Sequence, residues 1–117
     1  MASEPDVIWK GASGAGYGYW VHGIPTSINP GQDGNYIYAK KDAQGLWQPI
    51  YIGQGDLKAR TDIDNHHQSR CLKAHGATHV HVHTSGREAE RLAEEQDLLS
   101  NYTQAYQPVG CNEKPGG

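Results

Sequence analysis

The stretch YIGQGDLKAR, residues 51–60, changes character at its middle and so marks where a strand gives way to a helix. Tyr51 and Ile52 close a short apolar run, WQPIYIG (47–53), that ends on glycine. Asp56 then stands just before LKAR, where its side-chain oxygen can accept from the free amides of a first helical turn. Upstream, NYIYAK (35–40) alternates and is rich in β-formers, and KKDAQG supplies turn residues. Two such runs joined by a glycine-containing loop read as an antiparallel hairpin. Downstream, Arg60, Ile63, His67 and Cys71 recur at offsets of 3, 7 and 11, near one face of a single helix that Gly76 is suited to stop.

Further out, THVHVHT (78–84) reads as a third strand, with His79, His81 and His83 on one face because alternate side chains point the same way. Ser85-Gly86-Arg87-Glu88 has the spacing of a capping box, with Ser85 as N-cap and Glu88 reaching back. The helix it opens carries Leu92, Gln96 and Leu99 on one side with Ala89 and Ala93. Residues 1–33 are rich in Gly, Ser and Pro, with one strand expected over YGYWVHGI (17–24). The segment GASGAGYG lacks the Gly-Lys-Ser/Thr of a phosphate loop and reads as a glycine-rich turn.

These elements predict an α+β domain: a three-stranded, mostly antiparallel sheet flanked by helices, in the order β-β-α-β-α, with an extra N-terminal strand. Residues 34–112 form its body, 1–33 an N-terminal extension and 113–117 a tail.

A chain of 117 residues is one domain and buries roughly two thirds of its unfolded surface. The core must use Leu, Ile, Val, Ala, Tyr and Trp, because there is no Phe. A formal net charge of −3 gives no overall attraction for nucleic acid, so such binding would need a local basic patch. Two cysteines, Cys71 and Cys111, are too few for a disulfide framework and lack a paired zinc spacing. No apolar run approaches the ~20 residues of a membrane span, so no membrane partner and a cytoplasmic location are expected.

Gly34-Asn35-Tyr36 on the first strand, Tyr51-Ile52-Gly53 on the second, Arg60 on a helix, Glu95 on the next helix and a late Asn112 fall in one order. That order resembles the GIY-YIG nuclease family over residues 34–112. The resemblance implies an endonuclease that hydrolyses phosphodiester bonds in DNA, without excluding RNA, and that uses Mg²⁺ or Mn²⁺. Glu95 would be the metal ligand and Arg60 the permanently charged donor set for the scissile phosphate. Tyr36 would be the general base or water-positioning group, and Tyr51 would support it. Gly53 and Asn112 would be structural at the site, with Asn112 bracing the glutamate or its loop. Family members carry His or Tyr four residues after the arginine, but Asp64 stands there. A small insertion brings His66 into that role, with His67 as its neighbour. Lys58, Arg70 and Lys73 are the candidates for tracking phosphates beside the site. A lone catalytic domain of this kind can gain affinity as a homodimer.

Periodicity selects Glu95 among the acids independently. With Leu92 at the centre of the buried stripe and ~100° per residue, Glu95 lies about 60° away, whereas Glu90 and Glu94 lie about 160° away on the solvent face. Two other readings compete. One is a histidine-ligated zinc protein using His79, His81 and His83, although three residues on one straight strand diverge from a single ion. The other is a non-catalytic nucleic-acid- or protein-binding domain of the same fold.

Overall fold

The alternation in residues 33–56 builds the hairpin from which the remaining elements are placed. In this computed structural model, which describes residues 4–114, β3 (Asp33–Lys41) pairs antiparallel with β4 (Trp47–Asp56). The turn is held by Asp42, whose carboxylate accepts from the amides of Gln44 and Leu46. Pro49 has no N–H to give a neighbouring strand, and β4 is accordingly the edge of the sheet. The register slips by a bulge between Tyr38 and Ala39, opposite the proline.

On its other side β3 pairs with β5 (His79–Thr84), which pairs with β2 (Gly16–Gly23), which pairs with β1 (Val7–Lys10). The result is one five-stranded antiparallel sheet in the order β1-β2-β5-β3-β4. The expected three-stranded sheet is therefore corrected. Val7–Lys10 has four residues, too few for a period-two pattern to show, and acquires meaning only through its pairing with β2. The glycine-rich segment between them is a hairpin loop wrapped on a carboxylate. Ser13 donates to Asp97 from its amide (2.8 Å) and its hydroxyl (2.7 Å), and a Cβ on Gly11 would lie 1.9 Å from Asp97 Oδ2.

Each face of the sheet has its own core. Tyr36, Tyr38, Ile50, Val80 and Val82 pack against Leu57, Ile63 and Leu72 from the segment after β4. Trp9, Tyr19, Ile37, Ala39 and Ile52 pack on the opposite face against Leu98 and Ala105.

The single helix expected after Asp56 is broken. Asp56 does cap α1 (Leu57–Arg60), accepting from the Lys58 amide, but the helix stops at Thr61. A 3₁₀ turn at Ile63–Asn65 follows, and then α2 (Ser69–Ala74). The run Thr61-Asp62-Ile63-Asp64-Asn65 explains the break, since Thr, Asp and Asn side chains compete for backbone groups. Thr61 Oγ1 donates to the Leu57 carbonyl (2.6 Å), and Asn65 Nδ2 donates to the Asp62 carboxylate (2.7 Å).

The last helix, α3, spans Glu88–Asn101 and departs from expectation at its start and on its buried face. Arg87 occupies the N-cap without a side-chain bond, so the capping box does not form. Ser85 instead pairs its amide with the Asp33 carbonyl and offers its own carbonyl to Arg91 Nη1 (2.9 Å). Leu92 is 44% exposed, whereas Arg91, Glu94 and Leu98 are buried. The helix turns this polar stripe inward because the sheet meets it with partners. Tyr19 donates to Glu94 (2.5 Å), His83 pairs with Glu94 (3.0 Å), and Gln54 accepts from Arg91 Nε (3.0 Å). Glu94 is thus a core residue and not the solvent-facing one that an apolar stripe implies.

Candidate active site

Strand β4 has an unpaired outer edge, and the C-terminal segment closes it at one point. Asn112 accepts from the Ile52 amide (2.8 Å) and donates to the Ile52 carbonyl (2.9 Å), and the Cys111 amide donates to the Ile50 carbonyl (2.8 Å). Asn112 therefore braces the Tyr51-Ile52-Gly53 strand itself, where the resemblance had it bracing the glutamate or its loop. Flanking Ile52, Tyr51 and Gly53 turn to the same face as Tyr36 and Tyr38, their partners across the ladder. Gly53 makes room for this. A Cβ there would stand 2.6 Å from both the Tyr36 hydroxyl oxygen and Cζ, and 2.8 Å from Tyr51 Cε1.

The break after α1 folds His66 and His67 back onto these tyrosines. Their rings stack on one another with centroids 4.4 Å apart. His66 Nε2 lies 2.8 Å from the Tyr36 hydroxyl, and His67 Nε2 lies 3.2 Å from the Tyr51 hydroxyl. The tautomer of His66 follows from its other nitrogen, because Nδ1 accepts from the Gln68 amide at 2.9 Å. Burial, reinforced by the His67 and Arg60 charges, pushes the His66 pKa down to about 4, so at neutral pH the ring is uncharged. Its one proton then sits on Nε2 and is donated to Tyr36. The Tyr36 ring stacks on Tyr51 with centroids 5.9 Å apart, and its hydroxyl helps hold that of Tyr51 lower.

Burial pushes the Tyr36 hydroxyl well above its ordinary pKa, helped by Tyr51 and opposed by Arg60. With 1% of its surface exposed, Tyr36 has little contact with solvent. Tyr51 is also raised, by burial first and then by the Glu95 charge, while the Tyr36 bond and Arg60 pull it down. Tyr51 and His67, in contrast to Tyr36 and His66, line an open cleft of ≈ 260 Å³ together with Gln68, Glu95, Tyr106, Asn112 and Glu113.

Arg60 ends α1, its carbonyl accepting from the Tyr38 hydroxyl at 2.7 Å. Its side chain runs beside Gly55, where a Cβ would lie 3.1 Å from Nε. Gly55 is also left-handed, at φ +140°. Its charge reaches Tyr36, Tyr51, His66 and Glu95, lowering the pKa of each. Glu95, half-buried on α3, has its pKa raised by burial and lowered in part by Arg60. No hydrogen bond or ion pair among the described residues engages its carboxylate. An unengaged carboxylate opening into a cleft with other oxygen donors, Tyr51 and Glu113, suits a hard divalent cation that keeps most of its waters.

The basic candidates are more dispersed. Lys58 borders a separate cavity of ≈ 280 Å³ shared with Asp56 and Asp62. Lys73 is tied to Asp64 by a 2.5 Å ion pair, and Arg70 is exposed on α2. The strand histidines do not converge. His81 is fully buried; its Nδ1 accepts from the Trp9 indole (2.9 Å), and burial pushes it down to about 4. His83 turns to Glu94 and His79 to the Thr78 hydroxyl. Larger cavities lie on other parts of the sheet, one of ≈ 490 Å³ beside Trp20 and one of ≈ 640 Å³ beside Glu94, and neither is lined by Tyr51, His67 or Glu95.

Sequence reading missed Gly55, Gln68 and Glu113 at this site. Gly55 had a signal, the second glycine of YIGQG, whereas the other two become visible only once the chain folds back. The fold and cleft define a small α+β domain with tyrosine, histidine, arginine and glutamate gathered at a sheet edge. Comparison with family models, with curated proteins and with solved structures gives no match to this chain. No helix among the described residues is long and apolar enough to cross a membrane.

Proposed function

We propose that the chain is a divalent-metal-dependent endonuclease of the GIY-YIG type, hydrolysing phosphodiester bonds in DNA. The observation that carries this reading is the convergence of side chains from β3, β4, the turn before α2 and α3: His66 Nε2 lies 2.8 Å from the Tyr36 hydroxyl, His67 Nε2 lies 3.2 Å from the Tyr51 hydroxyl, and Glu95 lines the same cleft as Tyr51 and His67. Arg60, beside Gly55, adds a positive charge that lowers the pKa of Tyr36, Tyr51, His66 and Glu95.

The chemistry needs a positioned water, a place for its proton and compensation of charge on the phosphoryl oxygens. Arg60 offers planar donors to the phosphate. Tyr51 and His67 both line the cleft; Tyr51 positions the water and passes its proton on to His67 through the 3.2 Å contact. Tyr36 and His66 form the supporting layer, because Tyr36 accepts the His66 N–H and is buried. This allocation moves the base role from the first tyrosine to the pair at the cleft. Glu95 would hold Mg²⁺ or Mn²⁺, which, when bound, supplies a positive centre for a phosphate oxygen and the leaving oxygen.

Plasmid nicking tests the reading. Cleavage is expected in Mg²⁺ or Mn²⁺, is abolished by EDTA, and falls steeply in Arg60→Ala. Duplex binding without cleavage in either metal would identify a non-catalytic binding domain and overturn the proposal.

A further inference from the structure

Cys71 and Cys111, 40 residues apart, are joined as a disulfide, and His75 stands against them. Too few for a disulfide framework, the two cysteines nonetheless form one bridge. Cys71 and His75 are four residues apart and share a face of α2 and its C-cap. Cys111 is brought to them by the segment 105–112. That segment is held by Asn112 N–H donating to the Ala105 carbonyl and by Gly110 N–H donating to the Tyr106 carbonyl. Gly110 packs so closely that a Cβ would lie 2.3 Å from the Ala105 oxygen.

The three donor atoms lie within 4.8 Å of one another, and among the described residues no other three His, Cys, Asp or Glu form such a group. His75 Nδ1 is 3.5 Å from Cys71 Sγ and 3.7 Å from Cys111 Sγ. A tetrahedral ion with a nitrogen at ~2.0 Å and a sulfur at ~2.3 Å sets them about 3.6 Å apart. In the disulfide form both nitrogen–sulfur distances match such a site, and reduction has to part the sulfurs to the ~3.8 Å that tetrahedral ligation sets. His75 Nε2 lies 3.1 Å from the Pro108 carbonyl, the outer bond that fixes the tautomer of a ligating histidine. Nδ1 also lies 2.9 Å from the Cys71 carbonyl, the contact of the other tautomer, and a metal takes the place of that proton.

We propose that Cys71, His75 and Cys111 form a redox-exchangeable site for a thiophilic divalent cation of the zinc class, separate from the oxygen-lined cleft at Glu95. A dithiol reductant supplies two electrons and two protons. The Cys71–Cys111 bond breaks to two thiols, and the reductant closes to its own disulfide. The cation then binds both sulfurs and His75 Nδ1, releases the thiol protons to solvent and leaves a fourth position to water. Oxidation by a disulfide reverses the exchange and expels the ion. Either state ties α2 to the segment carrying Asn112, so the clamp on Ile52 is kept while its tie changes.

Cobalt(II) is the probe, titrated into wild-type protein reduced with dithiothreitol and then desalted anaerobically. One equivalent should bind with sulfur-to-cobalt charge-transfer absorption and the intense ligand-field bands of a tetrahedral site, and zinc should displace it. His75→Ala retains both cysteines, and so the disulfide-linked fold, yet should weaken binding about tenfold or more. Glu95→Gln should leave the spectrum unchanged, which separates this site from the nuclease reading. Absence of charge-transfer bands in reduced protein overturns the proposal. So do bands of equal strength in the disulfide form, an unchanged affinity in His75→Ala, or loss of the bands in Glu95→Gln.

Discussion

Gly53→Ala isolates the packing of the two tyrosines from every other property of the strand. Gly53 is not among the glycines with positive φ, so alanine meets no backbone strain there. Its methyl group would stand 2.6 Å from the Tyr36 hydroxyl oxygen, where ordinary contact begins near 3.4 Å. The ring must withdraw by the difference, about 0.8 Å. That exceeds the ~0.7 Å margin between the 2.8 Å Tyr36–His66 bond and the ~3.5 Å beyond which a hydrogen bond is lost. Overpacking of this kind costs about 1–3 kcal/mol, and displacing a catalytic constellation by ~1 Å costs about 10²-fold in rate. Urea unfolding should show the first and single-turnover cleavage of a labelled duplex the second, with the His66 ring resonances shifted in NMR spectra. A folded Gly53→Ala protein that cleaves within threefold of wild type, with unshifted His66 resonances, refutes the packing account.

Acid should destabilise the fold through its buried histidines. His66 and His81 are pushed down to about 4 from an unfolded value near 6.5, so between these pH values the unfolded chain binds protons that the folded chain does not. Their full contribution is present above pH 6.5, and each loses roughly 2–3 kcal/mol by pH 4.5. Urea midpoints at pH 7 and 4.5 measure this, and His81→Gln, which keeps an acceptor for Trp9, should remove about half of the difference. An unchanged pH slope in that variant would contradict the assignment. Asn112→Ala leaves the Ile52 amide and carbonyl without partners at the edge of β4, at a cost of about 2–3 kcal/mol in urea unfolding.

The parts of this fold written in local pattern were readable from the sequence. The hairpin around YIG, the Asp56 cap and the third strand each depend on a few neighbouring residues, and all three form. What depends on distant partners was not. Glu94 faces inward because Tyr19 and His83 await it, and no property of the helix alone reveals that. Leu92 was placed at the centre of the buried stripe because hydrophobicity was taken as the guide to burial, and α3 buries a polar stripe instead. The Glu95 assignment came from that mistaken centre and from the family order. Glu95 still lines the cleft, because a residue adjacent to Glu94 lies at the edge of the true stripe. His66 reaches Tyr36 through a break in the helix at Thr61–Asn65, a run whose cap-forming side chains were visible but were read as helix. The disulfide joins residues 40 apart, a separation at which spacing carries no pairing information.

The proposal's central claim is that Glu95 belongs to a hydrolytic cleft with Tyr51 and His67, within the field of Arg60. Single-turnover cleavage of a labelled duplex in Mg²⁺ by wild-type protein and by Glu95→Gln, with duplex affinity measured alongside, tests it most directly. The account predicts at least ~10²-fold slower cleavage by the variant, with affinity and unfolding midpoint within a small factor of wild type. Equal cleavage rates in the two proteins would contradict it.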